Sequence, residues 1–153
     1  MPEKKQEPGS LRTVRDVMTP NPASVSEKDS ITRVAEIMKR EDAGVVPVVD
    51  GRKVIGMITD RDIVVRLIAE GKDPSNAKVT DAMSKKVRSV REETPVNEVL
   101  QLMSREQIRR VPVTNNNNEL IGIVSIGDIA SDSKETVNVG RTVEDISEAP
   151  PNN

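Results

Sequence analysis

Cysteine, histidine, tryptophan, tyrosine and phenylalanine are all absent from the 153-residue sequence, and each absence removes a class of chemistry. Without Cys or His there is no disulfide, no zinc site of thiolates and imidazoles, and no triad centred on histidine. Without rings there are no stacking platforms for single-stranded nucleic acid. The charge is nearly balanced, 23 Lys and Arg against 25 Asp and Glu, so duplex binding through the phosphate backbone is not expected either. No apolar run is long enough to span a bilayer, and the stretch from Met1 to Ser10 has no apolar core of the kind a signal peptide needs. These features predict a soluble, cytoplasmic chain with no membrane or nucleic-acid partner. Its chemistry must come from carboxylates, hydroxyls, lysine and arginine.

What is present is an internal duplication. Sliding the chain by 65 positions lays Val14-Arg15-Asp16-Val17-Met18-Thr19 on Val79-Thr80-Asp81-Ala82-Met83-Ser84, and gives 13 identities over the 36 positions 14–49. Chance would supply roughly two or three. After one extra residue in the asparagine loop 115–118, Ile55-Gly56 lies on Ile121-Gly122 and Asp62-Ile63 on Asp128-Ile129. The period exceeds that of solenoid repeats, so this is a duplication of domain-sized units. The expected organisation is a disordered tail over 1–12, one repeat over 13–74, a second over 78–131, and a polar segment over 132–153. In that last segment Val139, Val143 and Ile146 are spaced for a short docking helix.

Each copy predicts the same succession of elements. Ile31, Val34, Ala35 and Met38, like Val96, Val99, Leu100 and Met103, fall at helical spacing. Asp29 and Thr94 precede these helices as candidate N-caps, with Pro95 at the first helical position. Two strands follow, Val45–Val49 and Val54–Ile58, joined by the hairpin signal Asp50-Gly51; the second copy has Arg110–Thr114 and Leu120–Val124. Pro47 and Pro112 donate no hydrogen bond and are expected at an edge or irregularity. A further helix is expected from Asp60 to Glu70, ended by Gly71, with a shorter counterpart from Gly127 to about Ser131. The core must be aliphatic, with the methionines as filler.

The informative stretches are Gly56-Met57-Ile58-Thr59-Asp60-Arg61-Asp62 and Gly122-Ile123-Val124-Ser125-Ile126-Gly127-Asp128. Both put a hydroxyl at a strand end and a carboxylate three residues on. One reading is a capping box. The other is a ligand site, in which free N–H groups and Thr59 or Ser125 hold a phosphate, the carboxylate accepts the hydroxyls of a ribose, and Gly56 and Gly122 allow close approach. The two readings are compatible.

The tandem repeat, the closing motif and the hydrophobic-Pro-hydrophobic strand resemble a pair of cystathionine-β-synthase (CBS) domains, a Bateman module. The opening Val-Met-Thr-Pro and the Thr-Asp-Arg-Asp-Ile motif are also similar to those of small stand-alone CBS-pair proteins, including the hypoxic-response type. The resemblance covers about residues 12–131. It implies an α+β fold of two β-α-β-β-α repeats packed about a pseudo-two-fold axis, leaving clefts that take AMP, ADP, ATP, a dinucleotide or S-adenosylmethionine. By position, Asp62 and Asp128 would hold ribose, Thr59 and Ser125 phosphate, and Arg61 would add charge. Asn21, Ala23, Val46, Pro47, Arg88, Val111 and Pro112 would line the adenine, and Arg109 and Arg110 would contact phosphate. Lys85, Lys86, Arg88, Arg109 and Arg110 stand where the first copy has Pro20, Asn21, Ala23, Gly44 and Val45, which favours anions near the second copy.

The function this implies is a regulatory module that senses an adenosine ligand, with magnesium as a possible companion of that ligand but no required cofactor. Its expected partners are a second copy of the chain and a separate effector protein. The alternative is a ligand-free CBS dimer that serves as an interaction module. An enzyme is not expected, because no general base, nucleophile pair or phosphate-binding P-loop is present.

Overall fold

The computed structural model describes residues 12–131 and residues 143, 145 and 146. Residues 1–11 of the predicted tail over 1–12 and most of the segment 132–153, Val139 included, lie outside the described residues. The elements are α1 (Val14–Val17), β1 (Thr19–Pro20), β2 (Val25–Ser26), α2 (Ile31–Glu41), β3 (Val45–Asp50), β4 (Lys53–Thr59), α3 (Asp60–Ile63), a π-helical stretch (Val64–Ile68) and two 3-10 turns (Pro74–Asn76, Val79–Asp81). There follow α4 (Val96–Glu106), β5 (Arg110–Thr114), β6 (Leu120–Ser125) and α5 (Ile126–Ala130). The first repeat thus reads β2-α2-β3-β4-α3, the β-α-β-β-α order expected of the α+β class. In the second, the leading strand is reduced to a parallel bridge between Val90 and Val113.

The chain forms two compact units. The first-repeat unit comprises residues 21–88 with 116–120, and the second-repeat unit comprises the described residues 12–20, 89–115 and 121–131. Their sheets run β2-β3-β4 and β1-β6-β5. In the first, β2 lies parallel to β3 with Val25 opposite Val48, and β3 turns back antiparallel into β4 through Gly51 at φ +64. Glycine adopts that left-handed conformation without steric cost. Each unit has its own aliphatic core, around Val34, Ile37, Val48 and Ile58 in one and Val99, Met103, Val113 and Ile129 in the other.

Three local expectations shift. The N-caps are Ser30 and Pro95, one residue later than read. Asp29 instead accepts from the Ser26 N–H at 2.8 Å, and Thr94 from the Arg91 N–H at 3.1 Å. These side chains close the turns that lead into the helices. Pro47 lies in the central strand of its sheet, not at an edge. Its partner Met57 directs its own N–H and C=O to Ser84, so Pro47 takes no bond from β4. The helix expected over Asp60–Glu70 is α-helical only to Ile63 and then widens, with the Ala69 N–H donating to Val64 O at 2.8 Å. Leu67 is fully buried there, while Val64, Val65 and Ile68 are about half exposed.

The packing units cross the repeat boundaries. Val14–Thr19 opens the first repeat in sequence, yet β1 pairs with β6 of the second, Thr19 opposite Ile123 and Pro20 opposite Gly122. Reciprocally, Ser84 bridges Met57 of β4 through N–H to O bonds of 2.8 and 2.9 Å. Val14 and Val79, both fully buried, belong to the core their segment joins. The shared aspartates shape both segments: Asp16 accepts from the Thr13 N–H and Asp81 from the Lys78 N–H. In the second-repeat unit Val143 and Ile146 also pack against the core, and the Ser104 hydroxyl donates to the Asp145 carboxylate.

This pairing gives the two motif glycines their structural role. A Cβ on Gly56 would stand 2.7 Å from Ser84 O, and one on Gly122 2.6 Å from Met18 Sδ and 3.1 Å from Thr19 O. The group that approaches each glycine closely is the lent segment of the other repeat, not a ligand as the sequence suggested. Gly56→Ala meets rigid backbone, whereas much of the clash at Gly122 is with a flexible thioether. Gly56→Ala is therefore expected to lower stability by about 1–3 kcal/mol, and Gly122→Ala by less, as read by urea unfolding followed by far-UV circular dichroism. A Gly56→Ala variant as stable as the parent would show that Ser84 does not seat against β4.

Candidate functional site

The end of β4 is where the first repeat gathers its polar motif. Thr59 caps α3: its Oγ1 accepts the Asp62 N–H at 2.9 Å, and Asp62 Oδ2 accepts the Thr59 N–H at 2.9 Å. The second repeat repeats the figure at the end of β6. Ser125 Oγ accepts the Asp128 N–H at 3.0 Å, and Asp128 Oδ2 accepts the Ser125 N–H at 3.1 Å. The capping-box reading therefore describes both motifs. All four residues are only half-buried.

The free N–H groups expected at these helix starts are largely engaged. In α3 the Asp60 N–H donates to Gly44 O at 3.0 Å, the Arg61 N–H to Asp60 Oδ1 at 2.8 Å, and the Asp62 N–H to Thr59. In α5 the Ile126 N–H donates to Arg109 O at 2.9 Å and the Asp128 N–H to Ser125. What remains for a ligand includes the hydroxyl proton of Thr59 or Ser125, the Gly127 N–H at the start of α5, and the lone pairs of the carboxylates that the box does not use.

The register of the first sheet groups the other candidates. Val45 lies opposite Thr59, Val46 opposite Ile58 and Pro47 opposite Met57. Because β2 is parallel to β3, the chain entering β2, with exposed Asn21 at φ +49 and half-buried Ala23, comes in at that same sheet end. Asn21, Ala23, Val46, Pro47, Thr59, Arg61 and Asp62 are thus brought to one end of one unit. Val46 and Pro47 are buried and Arg61 is exposed. In the second-repeat unit Val111 and Pro112 are buried in β5, Arg110 begins that strand, and exposed Arg109 precedes it, bonded through its carbonyl to the start of α5. Pro112 O accepts from the Val90 N–H at 3.0 Å, so its missing N–H faces the short leading strand. Arg88, exposed, ends the segment 21–88 and is grouped with the first-repeat unit, not with Ser125 and Asp128.

Two residues escaped the sequence reading. Arg66 Nε lies 3.8 Å from Asp62 Oδ1 and its guanidinium donates to Met83 O at 3.1 Å; the i, i+4 spacing from Asp62 was the available signal. Asp60 was passed over as part of the motif, although an acid in the first helical turn is a recognised companion of free N–H groups. Among the described residues no group of three or more Asp or Glu is assembled to hold a metal ion.

Comparison with known proteins identifies the family. The CBS domain family matches residues 14–69 and again residues 79–135. The protein YlbB of Bacillus subtilis is 42% identical over 140 residues, covering 90% of this chain and 93% of its own. Hypoxic response protein 1 of Mycobacterium tuberculosis is 36% identical, covering 78% of this chain and 84% of its own. A crystal structure of Hypoxic Response Protein I with two coordinated zinc ions superposes with a TM-score of 0.71 at 36% identity, over 78% of this chain and 97% of that one. The CBS domain pair of protein MJ0100, in complex with 5-methylthioadenosine and S-adenosylmethionine, superposes at 0.69 with 30% identity, over 78% and 97% of the two chains. CBSX2 in complex with AMP does so at 0.71 with 26% identity, over 80% and 96%. No helix among the described residues is long and apolar enough to cross a membrane. With two matched domains over most of its length, this chain belongs to the CBS domain family, as a tandem pair.

Proposed function

We propose that this protein is a regulatory module that binds adenosine-containing compounds at the ends of β4 and β6 and signals their presence to a separate partner. The observation that carries the reading is the pair of hydroxyl–carboxylate boxes, formed with the same bonds in both repeats. Each carboxylate uses Oδ2 in its box and has Oδ1, which in Asp62 also faces Arg66, to accept the two hydroxyls of a ribose. Thr59 and Ser125 stand beside the ligand's 5′ group, with Arg61, Arg109 and Arg110 near it. Buried Val46 and Pro47, and Val111 and Pro112, offer apolar backing for the base, and Asn21, Ala23 and Arg88 its rim. Related CBS pairs hold S-adenosylmethionine, 5-methylthioadenosine or AMP, which supports the ligand class. A required cofactor has no place in this reading.

Signalling demands that the ligand bind one arrangement of the protein better than another. The exposed face of Val64, Val65 and Ile68 supports a second copy of the chain as one partner, and the effector as another protein.

Ligand that binds only the folded state raises the unfolding midpoint. Scanning calorimetry with AMP or S-adenosylmethionine at a hundredfold excess over Kd should add about 2.7 kcal/mol, a rise of roughly 5–10 °C for a chain of this size. Asp62→Ala and Asp128→Ala each remove the carboxylate half of a capping box, so the unliganded stability falls with either, by about 1 kcal/mol, and the midpoint falls with it. The ligand-dependent rise should shrink in each single variant and vanish in the double one. If the double variant keeps the full rise, the ribose role is wrong; if no adenosine compound raises the parental midpoint, the protein is the ligand-free interaction module.

A further inference from the structure

The two boxes match in backbone and invert in charge. The first residue of α3, Asp60, donates its N–H to Gly44 O, and the first residue of α5, Ile126, donates its N–H to Arg109 O, at 3.0 and 2.9 Å. These equivalent bonds make Gly44 the counterpart of Arg109, and Asp60 that of Ile126. In the first-repeat unit the Asp60 carboxylate lies over Gly44, with Oδ2 3.3 Å from where a Cβ would stand. Its Oδ1 accepts the Arg61 N–H at 2.8 Å. A fixed carboxylate therefore sits where an anionic 5′ group would approach, and glycine at position 44 leaves room for it. In the second-repeat unit the same place has the buried, uncharged Ile126, and Arg109 and Arg110 stand at the start of the neighbouring strand β5, where Arg109 O accepts the Ile126 N–H.

We infer that Asp60 makes the first site selective against phosphate. That site takes adenosine compounds whose 5′ group is uncharged or cationic, and phosphorylated ones go to the second. The inference rests on the reading of Asp62 and Asp128 as ribose acceptors. The other charged groups of the first site do not reverse its preference. Arg66 is held between Asp62 Oδ1 and Met83 O, which leaves Asp60 against the exposed guanidinium of Arg61. In the second site Arg109 and Arg110 outnumber Asp128.

Titration calorimetry on the full chain with adenosine and with AMP tests this. The parent should bind AMP in two unequal classes and adenosine in nearly equal ones. Asp60→Asn, which keeps an acceptor for the Arg61 N–H, should tighten the weaker AMP class about threefold to fivefold, the scale of an exposed charge pair, and leave adenosine unchanged. Asp60→Ser should do the same if charge is the cause. The gain should fall at about 0.5 M salt, where such interactions are screened. Arg109→Gln/Arg110→Gln should weaken the tighter AMP class alone. An AMP-to-adenosine affinity ratio unaltered by both Asp60 variants overturns the inference while the ribose reading stands. So does a weaker AMP class that Arg61→Gln abolishes. Absence of binding by both compounds to the parent overturns the two together.

Discussion

Both sheets depend on the close seating of a lent segment over a motif glycine, against backbone at Gly56 and mainly against a thioether at Gly122. At Gly56 the carbonyl of Ser84, and at Gly122 the segment Met18–Thr19, come nearer than a β-carbon would allow. Each repeat thereby supplies the strand edge that completes the other's last strand, and each supplies a fully buried valine, Val14 or Val79, to the other's core. A unit of this size is marginal by itself because it buries too small a fraction of its surface. Lending a segment in each direction enlarges both cores and ties the repeats into one folding problem. It also fixes the strands whose ends carry the site, since Thr59 and Ser125 are the last residues of β4 and β6.

The absence of rings is compatible with this architecture because the cores are built mainly from valine and isoleucine. β-branched side chains suit a pleated surface and have few rotamers to lose. Methionine serves where the fit is irregular: Met18 and Met83 reach over the motif glycines, and Met103 fills the centre of the second core.

Much of this was legible in the sequence, and the limits have physical causes. Helix, strand and turn order followed from periodicity and from Asp50-Gly51, because those signals are local. The family resemblance followed from the repetition of one motif. The exchange of opening segments was not legible, since Val14-x-Asp-x-Met reads the same whether it packs on its own repeat or on the other. The glycines were correctly singled out for close approach, but sequence could not say what approaches. Likewise the hydroxyl and carboxylate spacing identified the boxes, while the engagement of the Asp60 and Arg61 N–H groups depends on Gly44 O and on a side-chain rotamer, neither of which spacing encodes. Asp29 and Thr94 looked like caps because the residue types that cap helices also close the turns before them.

The boxes are closed by bonds within each motif, and on the proposed reading this bears on how binding could be read out. A carboxylate oxygen has two lone pairs, so a ribose can bond to Asp128 without breaking its cap. A site already formed loses little entropy on binding, and for the same reason it changes little. In the first repeat the situation differs, because Asp62 Oδ1 also faces Arg66, whose guanidinium reaches Met83 O. Met83 adjoins Ser84, the residue bridged to β4 at the close approach beside Gly56. On the proposed reading a ribose hydroxyl at Oδ1 would come up against the Arg66 guanidinium, and so would bear on a contact that helps to seat the lent segment. No corresponding ion pair joins Asp128 to the opening segment at Gly122 among the described residues. The repeats therefore share one capping geometry but differ in what that geometry is attached to.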